Sequence, residues 1–216
     1  IPSLSRIESR IYLEHEGALA MRSGEPGRPS VLLVGNSLLL DAIDPDSLKQ
    51  KMKPQSTARF VIENTMFMDW YYGIRRLLAE GSRPNRIVLA LDIPQLLENG
   101  YRGEYSAMYL WRTGDLMQVG REIGLDPTGI SGLFFARYSV LYAERLNMRT
   151  YALNRLAPGY AQTLHLATNR TARAYTGAEL LARATERLKR LRAACAEYGV
   201  EFVFLLPPGF GSGSDA

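Results

Sequence analysis

The hydrophobic and polar positions of this chain alternate between short apolar runs and longer stretches with helical spacing. Val31-Leu32-Leu33-Val34 is a continuous apolar run of the kind that a strand buried on both faces carries. Similar runs predict strands over 59–62, 87–91 and 200–206. Between them the spacing becomes helical. Residues 1–22 place Ile7, Ile11, Leu13 and Leu19 among charges, and a Gly/Pro-rich link over 23–30 follows. Leu38 to Ile43 predicts a short helix stopped by Pro45, and Asp44 is placed to cap a second one that runs through Met52. Trp70, Ile74, Leu77 and Leu78 share one helical face, with Asn64 or Thr65 as the expected cap and Gly81 as the stop.

The best-marked helix comes last. Thr176 and Glu179 make a capping-box pair, then Leu180, Ala184, Leu188, Leu191, Cys195 and Tyr198 recur at spacings of three and four, and Gly199 closes the pattern. Residues 93–175 lack a strand signal and read as a helical insertion or cap. Strands alternating with helices predict an α/β protein, a three-layer α/β/α arrangement around a parallel sheet. The expected organisation is a leading helix and linker (1–30), a sheet domain from 31–92 and 176–216, and the insertion between its halves.

Composition narrows this picture a little. The chain has 216 residues, 46% hydrophobic and 22% charged, in the ordinary range of a folded globular domain. A formal charge of +4 and a pI near 9.2 favour anionic partners, among which anionic membrane or polymer surfaces fit better than nucleic acid, because no Lys/Arg block is interleaved with aromatics. The single cysteine, Cys195, falls on an apolar helical face and reads as a buried thiol. No Cys/His zinc spacing, P-loop or Gly-x-Gly-x-x-Gly occurs, so no metal or cofactor is expected; Asp41, Asp44 and Asp46 read as capping and solvated residues. No stretch reaches transmembrane length without charge. Residue 1 is Ile1 rather than Met, and the chain stops soon after a strand pattern, so further sequence is expected at both ends.

Chemistry is expected where strands of a parallel sheet end. Gly35-Asn36-Ser37, Asn64-Thr65, Asp92 and the loop after Pro208 all reach that rim. Taken alone, Gly-Asn-Ser reads as a turn and helix cap. Val-Leu-Leu-Val-Gly-Asn-Ser-Leu-Leu-Leu at 31–40, however, resembles the first block of the SGNH (GDSL-type) hydrolase and acyltransferase superfamily. The Asp69-Trp70-Tyr71-Tyr72-Gly73 helix followed by the strand ending at Asp92 resembles that superfamily's cell-envelope members, the DltD-like and alginate-acetylation proteins. The likeness covers about 31–95 well and 176–208 loosely.

The resemblance implies a flavodoxin-like sheet and Ser37 as nucleophile. It implies an oxyanion site built from the Ser37 amide, donors around Asn36, Asn64 and Thr65, and a residue at the place of Asp92. The family carries an Asn there, and a carboxylate opposes an oxyanion. It further implies an acylated carbohydrate or other ester as substrate, no cofactor, and an extracytoplasmic location. The family's Asp-x-x-His base has no counterpart before Ala216. His15 reads as a surface residue, and His165 could serve only if the insertion folds over the rim. Without a base a serine hydroxyl is a weak nucleophile, so a protein ending at Ala216 is expected to be slow. The rival readings are a non-catalytic binding or assembly module that keeps the sheet, and a peripheral membrane-associated domain suggested by the basic, aromatic insertion. The aromatic, arginine-bearing stretch around Leu133-Phe134-Phe135, Tyr138, Leu141-Tyr142 and Leu146 reads as a helical cap. Tyr101, Tyr105, Tyr109 and Trp111 are the residues that would line a sugar groove.

Overall fold

The computed structural model describes residues 2–157, 159 and 176–206, which form two compact units, Ile1–Arg102 with Arg183–Ala216 and Gly103–Ala182. The first unit is a mixed α/β structure around four parallel strands: β1 (Ser30–Gly35), β2 (Ser56–Val61), β3 (Arg86–Ala90) and β4 (Glu201–Leu205). Their order across the sheet is β2-β1-β3-β4. The chain therefore steps to one side of β1 and then to the other, and the reversal leaves a crevice between the carboxyl ends of β1 and β3.

Strand periodicity sorts the core into two faces. Val31, Leu33, Val61 and Ala90 point to one side, where Leu39, Leu40 and Ile43 from α2 (Ser37–Ala42) and its end, and Leu48 of α3 (Pro45–Lys51), pack on them. On the other side Phe60 meets His15 of α1 (Pro2–Ala20) and Trp70 of α4 (Phe67–Ala79), both edge-on. Helices thus cover both faces, giving three layers. Among the described residues no helix is long and apolar enough to cross a membrane.

Local chemistry explains most boundaries. Asp44 accepts from the Ser47 N–H to cap α3, and these hydrogen bonds hold its carboxyl below the usual range. Gly81 ends α4 at φ +107°, a conformation only glycine adopts cheaply. The cap of α4 differs from expectation. Neither Asn64 nor Thr65 fills it; Met66 does, with its N–H donating to the Asp69 carboxylate. The last helix, α11 (Gly177–Ala196), opens with the expected Thr176–Glu179 box. Cys195 is fully buried in it, and burial pushes its thiol up to about 12. The periodic stripe also contains Arg187, only 4% exposed. Its guanidinium donates to the carbonyls of Leu96 and Glu98 and lies over the Phe67 ring, tying α11 to α5 (Ile93–Leu97) and α4.

The outer edge of β2 is guarded by α1. The Val61 N–H donates to Glu14 and its carbonyl accepts from Arg10, which occupies backbone groups that would otherwise invite another strand.

The second unit is helical: α6 (Glu104–Tyr109), α7 (Leu116–Glu122), α8 (Pro127–Tyr138), α9 (Val140–Ala143) and α10 (Arg145–Leu156). Its core includes Tyr105, Trp111, Leu116, Val119, Leu133 and Ala136, and an Arg145–Glu104 ion pair of 2.7 Å joins α10 to α6. Tyr105 and Trp111 are at most 5% exposed, so these two side chains pack inside rather than line a groove.

Candidate functional site

The crevice between β1 and β3 is built from two short segments. β1 delivers Gly35, which lies so close to β3 that a Cβ there would stand 2.6 Å from the Ala90 carbonyl oxygen. Only glycine allows that approach, and it brings the two strand ends together. Asn36 follows, completely buried. Its side-chain oxygen accepts from the Leu38 N–H at 3.1 Å, and its carbonyl accepts from Leu39 and Leu40, so Asn36 is the N-cap of α2. Ser37 comes next as the first helical residue. It is half-buried, and neither its hydroxyl nor its N–H makes a hydrogen bond with a described residue.

Across the crevice, Asp92 stands two residues after β3 and caps α5. Its carboxylate accepts from the Gln95 N–H at 2.7 Å, while the Gln95 side-chain oxygen accepts from the Asp92 N–H at 3.2 Å. This reciprocal box has one further member: the Asn36 side-chain amide donates to the same Gln95 oxygen. The two strand ends are therefore laced through one carboxamide. Gln95 was not among the sequence candidates. A signal existed, because Asp92-Ile93-Pro94-Gln95 has the spacing of a capping box with proline at the second helical position.

The sequence candidates fall into different roles. Ser37 stands free at the rim. Asn36 is buried with both ends of its side chain engaged, so its amide is a scaffold group and not a donor to a ligand. Thr65 is also fully buried; its hydroxyl donates to the Ile62 carbonyl at 2.6 Å and accepts from the Trp70 indole at 2.8 Å, which makes it a structural brace. Asn64 is exposed, in the turn after β2 at φ +58°, where Asn is tolerated better than most residues. Asp92 is the α5 cap. His165 and the loop after Pro208 lie outside the described residues.

His15 does not lie on the surface as its sequence context suggested. Its side chain is 15% exposed, edge-on to Phe60, with Glu16 and Glu80 each 3.8 Å away. Burial, and then the Arg76 guanidinium, hold its pKa below the ordinary value against the opposing pull of Glu80 and Glu16. It serves the α1 layer.

Among the described residues no cluster of His, Cys, Asp and Glu could hold a metal ion. A groove of about 590 Å³ opens elsewhere, between Leu13, Gly17 and Met21 of the α1 region and Thr57 to Arg59 of β2. Ser37 does not line it, so the cavity and the serine are separate features. Fold and rim together define a class, a three-layer α/β protein with a parallel sheet and, at its topological switch point, a serine that no described residue engages. No family model matches this sequence, and no curated protein does.

Proposed function

We propose that the protein is an SGNH-like serine esterase or O-acyltransferase that acts on an acylated glycan or another ester-bearing envelope polymer outside the cytoplasm. One observation carries the reading: Ser37 opens the helix that follows β1, an inner strand of the parallel sheet, at the switch point, half-buried, with a hydroxyl and an N–H that no described residue engages. In the reaction, Ser37 Oγ forms a bond to the acyl carbon and the ester C–O bond breaks. The serine proton passes to an imidazole, either His165 or one outside residues 1–216, and from it to the departing alcohol. Water or a sugar hydroxyl then takes the acyl group. The Ser37 N–H faces the developing oxyanion.

A second reading, a binding or assembly module without chemistry, draws on the absence of any histidine near Ser37 among the described residues. A fluorophosphonate ester probe on the full-length protein separates the two. Covalent label at Ser37, lost in Ser37→Ala, is the outcome expected of the enzyme; an unlabelled native protein supports the module and rejects the esterase.

A further inference from the structure

We propose that the Nε2 amide of Gln95 is the side-chain donor to the acyl oxygen during attack by Ser37, an assignment that rests on reading Ser37 as the nucleophile. Three observations converge on it.

The first is position. Gln95 bonds directly to Asn36, the residue before Ser37, although 59 positions separate the two in sequence. It therefore stands at the reacting end of β1, in the crevice between β1 and β3.

The second is orientation. A carboxamide can be turned either way, and here the network decides. The oxygen of Gln95 accepts from two donors, the Asn36 side chain and the Asp92 N–H. The nitrogen must then occupy the other branch. It donates to none of the described residues, on a side chain that is half-buried. An amide fixed through its oxygen to the residue before Ser37, with hydrogens that no described residue takes up, is a preorganised donor.

The third is the state of the neighbours. Asn36 has both ends of its amide engaged and is inaccessible. The Thr65 hydroxyl is held between Ile62 and Trp70. Asp92 offers only a carboxylate, which repels an oxyanion and is taken up by the Gln95 N–H. A glutamine three residues after Asp92, folded back by the capping box, returns an amide to the place that the aspartate itself cannot serve.

The test is the rate at which a fluorophosphonate labels Ser37 in the full-length protein, measured for the native chain, Gln95→Glu and Gln95→Met. Gln95→Glu keeps an oxygen for Asn36 and for the Asp92 N–H but removes both donors and adds charge where the oxyanion forms. Gln95→Met removes the donors at equal length without charge. Loss of one oxyanion donor slows such reactions by about 100-fold or more. Both variants are expected to label at least about 100-fold more slowly, and Gln95→Glu is expected to melt within about 2 °C of the native protein. Native-rate labelling of either folded variant overturns the assignment while leaving Ser37 as nucleophile. A native protein that does not label at Ser37 removes the nucleophile and the donor together.

Discussion

The ends of β1 and β2 lie side by side on one rim and carry similar residues, yet they handle their polar groups in opposite ways. After β2, Thr65 braces Ile62 and Trp70, and Asp69 accepts the N–H groups of Met66 and Arg102 at 2.8 and 3.2 Å, all with no exposure of Thr65 or Asp69. After β1, the buried Asn36 is engaged in the same manner, but no described residue engages Ser37 or the nitrogen of Gln95. Residue type therefore does not separate scaffold groups from candidates for chemistry here. What separates them is whether the group's hydrogen-bonding capacity is already satisfied by the fold, since a buried polar atom without a partner costs stability and a free one at the rim can serve a ligand.

The sharpest way to break this comparison is at Asp69. Asp69→Ala leaves two backbone N–H groups without their carboxyl acceptor in a site closed to water, and a small void where the carboxyl stood. A loss of about 3 kcal/mol is expected from urea unfolding. A loss below about 1 kcal/mol would mean that water reaches these amides and that the β2 end is less closed than its burial indicates. Thr65→Val is the milder case. The shape is kept, but the Trp70 indole N–H loses its acceptor. About 1.5 kcal/mol is expected, read by urea unfolding followed by tryptophan fluorescence.

The difference between these two loops also accounts for what could be read from sequence. Strands β1 and β3 and helices α4 and α11 were legible because burial imposes continuous or periodic apolar patterns that survive without knowledge of neighbours. Their parallel pairing was legible as well, since alternating strands and helices enforce it, whereas the order across the sheet was not. Hydrogen-bond partners were not, because they join distant segments: Asn36 with Gln95, Asp69 with the Arg102 N–H, Arg187 with the end of α5. Arg187 shows the limit well. It occupies the apolar stripe of α11 between Ala184 and Leu191, and nothing local announces that two carbonyls and a phenyl ring await it. Thr65 failed as an expected cap for the same reason: its hydroxyl found better partners in Ile62 and Trp70 than the helix end offered. Ser37 is singled out in the sequence by a pattern in the first strand and its turn. The contact of Gln95 with Asn36 is not legible locally, because the capping-box spacing after Asp92 announces only a helix start.

The smallest effect is expected at Ser37, and it bears most directly on the contrast. A hydroxyl that braces the fold loses stability when removed, whereas one held in reserve for a ligand does not. Because Ser37 bonds to no described residue and Asn36, not Ser37, caps α2, Ser37→Ala should change unfolding free energy by less than about 0.5 kcal/mol. Measured beside Thr65→Val in the same urea series, the pair gives the comparison its cleanest form. Equal losses at the two sites would show that the β1 end is scaffold as well, and Ser37 would then be an ordinary part of a helix start.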